Sequence, residues 1–290
     1  MENCDIIIPL WEKTKKEDLI KSLNSLIVEK NFIKNIFLVI DGCKNYPNYL
    51  PTKHVLKSKF NIIYIFKNYG PGYARNCGVT FSQSNNIIFL DAGDRNINNR
   101  IQIQLDYLKN NEACFADIEE LREKSTRLVR KSCSNIEIAR KVIAFKTPFN
   151  NVTLAIKRKV FEDLGGYPSL RTAEDWVLMG KIIKYNLKIK VIDKVLVSID
   201  IDQGFNSRRR GIKVFKDIIK CLLFNYKNRL FSTFDLILAI IINFLFRVIL
   251  PKEIFAYLYR FLRTYFLNFM ATFAFRKKPN KNIIKENKEI

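Results

Sequence analysis

Short apolar runs that end in polar or turn residues recur through the first third of the chain. Runs of this length, bounded by turn residues, are typical of buried parallel strands, because both faces of such strands are covered. We therefore predict strands over four segments: Asp5–Leu10, Asn35–Asp41, Asn61–Phe66 and Ile87–Leu90.

Helical patterns lie between some of these runs. Thr14-Lys15-Lys16-Glu17 has the form of a capping box, in which the threonine and glutamate side chains bond the free N–H groups that begin a helix. The apolar residues that follow recur at helical spacing and predict a face packed on the sheet: Leu19, Ile20, Leu23, Leu26 and Ile27. Residues 5–41 thus read as a βαβ unit, and a second helix is expected from Tyr73 to about Gln83. The pattern predicts a parallel α/β architecture for the first half.

The second half has a less regular pattern. Between Ala113 and Ala144 the pattern is mixed and predicts no definite element. Downstream we predict a strand, a short helix closed by Gly165-Gly166, a longer helix and a final strand, over Phe149–Ile156, Lys157–Leu164, Thr172–Asn186 and Ile189–Val197. The composition changes near Gly204, which is the predicted domain boundary.

The composition is strongly basic. Among 290 residues, 50 Lys and Arg face 28 Asp and Glu, which gives a formal charge of +22, and 48% hydrophobic residues are ample for a core. Disorder of the whole chain is excluded, and the charge calls for an anionic partner such as nucleic acid, a membrane surface or phosphates. Six cysteines show no C-x-x-C spacing, so neither a zinc site nor a disulfide framework is indicated. We recognise no signal peptide and expect a reducing cytosol.

Basic and apolar character rise together in the last 90 residues. Residues 201–290 hold 18 Lys and Arg against 6 Asp and Glu, together with many aromatic and aliphatic residues, as expected of a surface that meets anionic lipid. The charge-free run Leu236–Phe246 spans only about 17 Å as a helix, short of the ~30 Å hydrocarbon core. Beyond Pro251 we predict an in-plane amphipathic helix, with Ile254, Leu258, Phe261, Tyr265 and Phe269 on one face and Lys252, Arg260 and Arg263 on another.

Two alternatives remain open for this segment, a helix packed on the preceding domain and, as the third choice, a membrane span. The predicted organisation is an α/β domain over residues 1–204, a basic amphipathic helical region that associates with membranes over 205–276, and a disordered polar tail over 277–290.

Acidic residues follow two of the predicted strands. Ligands of α/β sheets bind beyond the carboxyl ends of the strands, so carboxylates there are candidate site residues. One strand runs into Asp41-Gly42 and another into Asp91-Ala92-Gly93-Asp94. Two carboxylates three residues apart on a tight turn can hold one hard divalent cation that bridges to a diphosphate. Alternatively, Asp-Gly is ordinary turn chemistry, and Asp94 or Asn96 caps the next helix.

A glycine-containing turn leads into the second helix. Gly70-Pro71-Gly72 precedes Arg75, which can reach a nucleotide from the start of that helix. The spacing matches neither the dinucleotide-binding pattern nor the P-loop pattern, which argues against a dehydrogenase or a P-loop NTPase.

Glu174-Asp175-Trp176 opens the later long helix. A carboxylate there can serve as general base for a hydroxyl while the aromatic ring stacks on a sugar. Alternatively, Thr172 caps this helix, the acids suit its first turn, and Trp176 joins an ordinary buried stripe with Met179, Ile182 and Ile183.

Several segments occur in one order along residues 3–200: the strand ending in Pro9, Asp41-Gly42, Lys67-Asn68 with Gly70 to Asn76, Leu90 to Asp94, Asn150 to Lys157, Gly165-Gly166-Tyr167 and Glu174-Asp175-Trp176. This ordered set of segments resembles the family 2 glycosyltransferases of the GT-A fold. The whole set is far more specific to that family than any one of its segments. Within that family the chain looks like the bacterial amylovoran, capsule and exopolysaccharide transferases.

The resemblance implies a role for each matched residue. Asp175 matches the catalytic base, with Glu174 beside it. Asp91 and Asp94 fall in the D-x-D region, which holds Mn²⁺ or Mg²⁺ on the donor diphosphate. The implied donor-binding residues are Pro9, Asp41, Asn68, Arg75 and Asp91, and the implied acceptor-binding residues are Asn150 and Trp176.

The chain departs from the family pattern in two places. The family often has Asp-x-Asp-Asp, whereas residue 93 is glycine, so Asp94 is the better candidate for direct metal ligation and Asp91 for contact with ribose or with groups around the metal. The Q-x-x-R-W signature of processive synthases is missing, although Arg208-Arg209-Arg210 follows Gln203 loosely. Addition of a single sugar is therefore favoured over polymerisation.

We expect an inverting glycosyltransferase that moves one sugar from a UDP-, GDP- or dTDP-linked donor to a lipid-linked glycan in surface polysaccharide biosynthesis. It would work as a peripheral protein on the cytoplasmic face of the cell membrane, with no nucleic acid as partner. In-line displacement needs a base for the hydroxyl and a cation for the leaving phosphates, and no separate nucleophile.

Two alternatives come from other classes. A nucleic-acid-binding protein would suit the charge, but the acidic strand ends would repel phosphates unless a metal intervenes. A sugar nucleotidyltransferase would need a glycine-rich basic loop after the first strand, where Pro9-Leu10-Trp11-Glu12 stands instead.

Overall fold

The first half of the chain builds four parallel strands. In the computed structural model, which describes residues 2–42, 50–51, 53–122, 126–201 and 209–261, the strands lie in the order β3-β2-β1-β4 and each adjacent pair is parallel. Their bounds are β1 Cys4–Trp11, β2 Ile33–Asp41, β3 Phe60–Ile65 and β4 Asn86–Phe89, with helices α1 Lys16–Ser25 and α2 Pro71–Phe81 between them. The predicted parallel α/β arrangement is confirmed.

Antiparallel strands extend this sheet in the second half. β8 pairs antiparallel with both β4 and β6, β6 pairs parallel with β9, and β7 and β5 add antiparallel partners to β6 and β9. The strands are β5 Arg95–Asn96, β6 Ala113–Arg122, β7 Thr126–Arg130, β8 Ala155–Lys157 and β9 Ile189–Asp200. The helices are α3 Arg100–Leu108, α4 Ile136–Val142, α5 Arg158–Asp163 and α6 Glu174–Lys184. The sheet of the described residues is therefore mixed.

Helices cover both faces of the sheet, which explains the continuous apolar runs. In β1, Ile6 and Ile8 join a core cluster with side chains of α1 and α3. Ile7, between them, points to the opposite face and joins a cluster with side chains of α2, α6 and two later helices, α7 (Ile212–Lys227) and α8 (Thr233–Phe244). All three isoleucines are completely buried, as a strand covered on two sides requires.

Two local predictions and one alternative interpretation were wrong, and in the two capping cases the side chain has another partner. Thr14 does not cap α1: its Oγ1 accepts a hydrogen bond from the Trp11 N–H, and α1 begins at Lys16 without a side-chain cap. Thr172 does not cap α6 but donates its hydroxyl to Asp217. The strand predicted over 149–156 is a 3-10 turn, Asn151–Thr153, followed by the three-residue β8.

Four helical segments follow the sheet: α7 Ile212–Lys227, α8 Thr233–Phe244, a π-helical turn Leu245–Ile249 and α9 Lys252–Phe261. α7 packs closely on α6, since a Cβ at Gly180 would overlap the side chain of Asn225. Buried residues of α7 and α8 belong to the same core cluster as α6, so these two helices pack on the α/β domain.

The predicted amphipathic helix begins as α9, where Ile254 is exposed and Phe255 is buried. Among the described residues, no helix is both long and apolar enough to cross a membrane. The proposed boundary at Gly204, the continuation of the amphipathic helix through Arg263, Tyr265 and Phe269, and the polar tail over 277–290 all lie outside the described residues.

Candidate functional site

The predicted site residues converge at the carboxyl edge of the parallel strands. Asp41 is the last residue of β2, and Asp91 lies two residues after β4. Arg75 lies in the first half of α2, while Glu174 and Asp175 open α6. The structure therefore brings together the acidic strand ends and a helix that begins 80 residues further along the chain.

Arg75 joins these two parts. Its Nη2 donates to Asp91 Oδ1 at 2.7 Å and its Nη1 donates to Glu174 Oε1 at 3.0 Å. The guanidinium is buried and lies 5.3 Å from the centre of the Tyr167 ring. Burial alone would lower the pKa of Arg75, but Asp91, Tyr167 and Glu174 together hold that pKa above its ordinary value. Arg75 is therefore a permanent cation between the turn after β4 and the start of α6.

The start of α6 is held tightly against α2. Asn76 Oδ1 accepts from the Tyr167 N–H at 2.9 Å, and Asn76 Nδ2 donates to the Tyr167 carbonyl at 2.8 Å. A Cβ at Gly72 would lie 2.8 Å from Glu174 Cγ, so only glycine fits there. Ala173, directly before Glu174, has φ 62°, a left-handed conformation that alanine rarely adopts. The first turn of α6 is thus placed by contacts and by local strain.

The two acids of α6 are harder to ionise than free carboxylates. Burial and the nearby Asp175 charge together raise the pKa of Glu174 to about 7, although Arg75 opposes them. Burial also raises the pKa of Asp175, while Arg75, the Trp176 N–H at 2.9 Å, Arg209 and Arg130 lower it. A carboxylate with a raised pKa at the edge of a site is suited to accept a proton from a hydroxyl near neutral pH.

The turn after β4 is shaped by α1. The Asp94 N–H donates to the Asp91 carbonyl at 3.1 Å, and Gly93, with φ 100°, donates its N–H to Ser22 Oγ at 2.9 Å. Burial raises the pKa of Asp94 well above its ordinary value, the Asp91 charge adds to this, and Arg100 and Arg75 oppose it. Sequence patterns did not reveal Ser22, whose hydroxyl also donates to the Asp91 carbonyl at 3.3 Å.

This turn offers ligands that suit a hard divalent cation. Asp91 and Asp94 supply carboxylate oxygens at one turn, and the Asp91 charge makes ionisation of Asp94 more costly, a repulsion that Mn²⁺ or Mg²⁺ would relieve. Asp91 is already bonded to Arg75, which leaves Asp94 as the freer ligand. No group of three or more His, Cys, Asp or Glu side chains forms a metal cluster within the described residues. The two carboxylates are oxygen donors of the kind that such a cation prefers, so the residues of this turn fit it.

Asp41 organises the loop that leads into α2. Its Oδ1 accepts from the Tyr69 N–H at 2.9 Å and its Oδ2 accepts from the Gly70 N–H at 2.7 Å. Asn68 Nδ2 donates to the Asp41 carbonyl, and the Asn68 carbonyl and Oδ1 both accept from Arg171. Both carboxylate oxygens of Asp41 thus hold the main chain of the loop.

The remaining predicted site residues are buried or half-buried within the α/β domain. Pro9 is half-buried in β1 beside Val39 of β2. Trp176 is 5% exposed and its indole N–H donates to the Ile143 carbonyl at 2.6 Å, which confirms the buried stripe considered as the alternative. Asn150 is 2% exposed, and its Nδ2 donates to the Ala116 and Arg130 carbonyls. In this structure neither Trp176 nor Asn150 presents an open face to a ligand.

Two named glycosyltransferases resemble this chain in sequence. A galactosyltransferase from Escherichia coli, named UDP-Gal:alpha-D-GlcNAc-diphosphoundecaprenol beta-1,3-galactosyltransferase, is 28% identical over 199 residues, covering 67% of this chain and 72% of that protein. The amylovoran biosynthesis glycosyltransferase AmsE of Erwinia amylovora is 25% identical over 228 residues, covering 74% of this chain and 82% of that protein.

A crystal structure of S. aureus TarS 1–349 in complex with UDP-GlcNAc has a TM-score of 0.60 and 14% identity, with 87% of this chain and 77% of that chain covered. This likeness supports the mixed α/β, GT-A-like fold. The model of the family described as glycosyl transferase family 2 matches residues 5–165, more than half of the sequence. The chain belongs to glycosyl transferase family 2.

Proposed function

We propose that this transferase is inverting and metal-dependent, and moves one sugar from a nucleotide-sugar to a lipid-linked glycan, with Asp175 as general base. The observation that carries the proposal is the double contact of Arg75, which ties the Asp91 carboxylate to the helix turn that bears Asp175. The buried guanidinium of Arg75 thereby fixes the distance between the proposed diphosphate-binding turn and the proposed proton acceptor. An in-line displacement requires such a fixed arrangement.

On the donor side, Asp94 and Asp91 would hold Mn²⁺ or Mg²⁺. The cation supplies positive charge to the leaving diphosphate when it is bound. The TarS structure contains UDP-GlcNAc, which supports a nucleotide-sugar donor for a chain of the same fold. Asp41 shapes the donor site indirectly, because its carboxylate holds the loop that carries Asn68 and Gly70.

On the acceptor side, Asp175 would take the proton from the attacking hydroxyl. As the oxygen–carbon bond forms at the anomeric carbon, the bond to the diphosphate breaks and a nucleoside diphosphate leaves. Attack from the opposite side inverts the anomeric configuration. Glu174 does not face the substrate in this scheme but positions the turn through Arg75.

A lipid-linked acceptor fits two observations. The relative from E. coli is named for a diphosphoundecaprenol-linked acceptor, and the helical segment after the sheet of this chain is strongly basic. We therefore place the enzyme on the cytoplasmic face of the membrane, as a peripheral protein that contributes to surface polysaccharide biosynthesis.

The direct test replaces Asp175 with asparagine and measures release of the nucleoside diphosphate from UDP-, GDP- and dTDP-sugars with a lipid-linked acceptor fraction. Loss of a general base typically lowers the rate by about 10²–10⁴-fold. Asp163→Asn is the matched control, because Asp163 is exposed on α5 and bonds only Lys159.

Thermal unfolding with UDP and Mn²⁺ separates binding from chemistry. Asp175→Asn should keep the shift in Tm that UDP and Mn²⁺ produce, whereas Asp94→Asn should lose the part that depends on Mn²⁺. Normal turnover by a folded Asp175→Asn protein would exclude Asp175 as the base. A UDP shift that is unchanged by a chelator would exclude the metal.

A further inference from the structure

Helix α8 is apolar on both of its faces. Nine of its twelve residues are hydrophobic, and one face, with Leu236 and Ala239, is buried against the α/β domain. The opposite face is open: Phe234 is 73% exposed, Ile237 53% and Ile241 49%, and Leu245 of the following turn is 48% exposed. The spacing of three, four and four residues places these side chains in one stripe, which we call the α8 stripe.

A helix that is apolar all round normally has both faces covered. Isolated exposed hydrophobic residues are common, but a contiguous stripe marks a surface that meets an apolar partner. Ile249, Ile254 and Tyr257 are exposed in the segments directly after the stripe and extend the apolar surface along the chain. This exposed apolar surface is therefore a candidate docking face.

The charges around the α8 stripe select an anionic partner. Residues 209–261 contain ten Lys and Arg and three Asp and Glu. Asp235, the acidic residue of α8, is already hydrogen-bonded to Ser232 in the capping box at the start of the helix. Lys227 and Arg229 are exposed in the connection before Phe234 and make no ion pair within the described part of the chain. Cations without acidic partners beside an apolar stripe match a surface of anionic lipid headgroups.

Two other partners could cover the α8 stripe, a second copy of the chain or the residues after α9, but both are positively charged like the surface around the stripe. A second copy of the chain would place two strongly basic surfaces together, since each carries a formal +22. Residues 262–290 hold seven Lys and Arg against two Glu, so they also carry positive charge.

We propose that the α8 stripe, Phe234, Ile237, Ile241 and Leu245, docks on the interface of a bilayer that contains anionic lipid. The inference rests on the proposed function, because a membrane-anchored acceptor explains why the enzyme needs such a surface. The stripe is also connected to the site: α8 packs on α7, and Asp217 of α7 accepts from Thr172, two residues before Glu174. Docking through α8 therefore holds the first turn of α6 close to the membrane.

Co-sedimentation of the full-length protein with vesicles tests the proposal. Vesicles of phosphatidylcholine with phosphatidylglycerol should bind the protein, and vesicles of phosphatidylcholine alone should bind it far less. The double variant Ile237→Glu/Ile241→Glu should weaken binding to the anionic vesicles at least about tenfold, because two charged groups replace the apolar contact. The matched control is Val28→Glu/Phe81→Glu, which changes two exposed hydrophobic residues away from the stripe and should bind as the unaltered protein does.

Three results would overturn the proposal: no binding of the unaltered protein to anionic vesicles, equal binding by the stripe variant, or a dimer in solution that the stripe variant dissociates. Release of the nucleoside diphosphate from a panel of UDP-, GDP- and dTDP-sugars is measured in parallel, with the lipid-linked acceptor fraction but without vesicles. Turnover that persists without vesicle binding refutes the docking surface and leaves the proposed function intact. Vesicle binding without turnover of any donor refutes the proposed function and leaves the docking surface intact.

Discussion

Gly72 provides the sharpest test of how the site is held together. It lies in the first turn of α2, where this helix passes the start of α6. A Cβ at residue 72 would lie 2.8 Å from Glu174 Cγ, 3.0 Å from Tyr167 Cβ and 3.2 Å from Glu174 Cβ. Carbon atoms prefer separations of about 3.5–4.0 Å, so Gly72→Ala must push α2 and α6 apart by roughly 0.5–1 Å.

The expected loss of stability is about 1–3 kcal/mol, as for other overpacked sites. The larger effect is on activity, because the shift moves Glu174 away from Arg75, whose present Nη1–Oε1 distance is 3.0 Å. A displacement of about 1 Å at reacting groups can lower a rate by about 10²-fold, so kcat/KM should fall by roughly 10–100-fold. Urea unfolding gives the stability, and steady-state transfer at a temperature where the variant is folded gives the rate.

Gly78→Ala is the matched control on the same helix. Its Cβ would lie 2.5 Å from Ile7 Cγ2 and 3.1 Å from Val39 Cγ2, so it overpacks the contact with the sheet and not the site. It should lose a similar amount of stability and keep most of its kcat/KM. Normal kcat/KM in folded Gly72→Ala, or an equal loss of activity in Gly78→Ala, would refute the reasoning.

Two further predictions concern buried charges. Burial and the Asp175 charge raise the pKa of Glu174 to about 7, and the ionised carboxylate forms the ion pair with Arg75 that positions the first turn of α6. We therefore expect kcat/KM to rise as the pH increases through about 7, and Glu174→Gln to lower the rate and flatten this limb of the pH profile. Stability should change with pH in the opposite direction. The folded-state pKa of Glu174 lies above its unfolded value, so this carboxyl contributes stability at low pH that is lost as the pH rises through the folded pKa. Urea unfolding at a series of pH values measures this loss. Arg100 is fully buried and donates to Gln104, Asn96 and a β4 carbonyl, so Arg100→Met should destabilise the fold by about 3 kcal/mol in urea unfolding. An Arg100→Met protein as stable as the original would show that these bonds contribute nothing.

The parallel half of the fold could be predicted because strands buried on both faces leave a simple pattern in the local sequence. Ile6, Ile7 and Ile8 are buried on two sides, and such strands appear as uninterrupted apolar runs. Capping patterns were less informative, because a side chain takes the nearest suitable donor or acceptor. Thr14 bonds the Trp11 N–H and does not cap α1, whereas the capping box of α8 uses an aspartate at the position where glutamate or glutamine is usual.

The site could be predicted as a set of residues but not as an arrangement. Acidic residues after strands converge because the carboxyl ends of parallel strands share one edge, so Asp41, Asp91 and Asp94 stood out. The pairing of Arg75 with Glu174 joins residues 99 positions apart, and no local pattern encodes that contact. The burial of Trp176 was one of two interpretations that the sequence left open, since a tryptophan suits both a sugar platform and a core.

The local charge of the site is opposite to the charge of the whole chain, and this difference constrains what it can bind. Burial raises the pKa of both Asp94 and Glu174, and a neighbouring carboxylate adds to the increase in each case. Arg75 opposes both increases and Arg100 opposes that of Asp94, without cancelling them, so full ionisation of the acids requires free energy that a further cation would lower. A bare phosphate would be repelled there, whereas a diphosphate that arrives with a divalent cation would not. The surplus of Lys and Arg in the whole chain therefore does not by itself make this acidic edge of the sheet attractive to a bare phosphate.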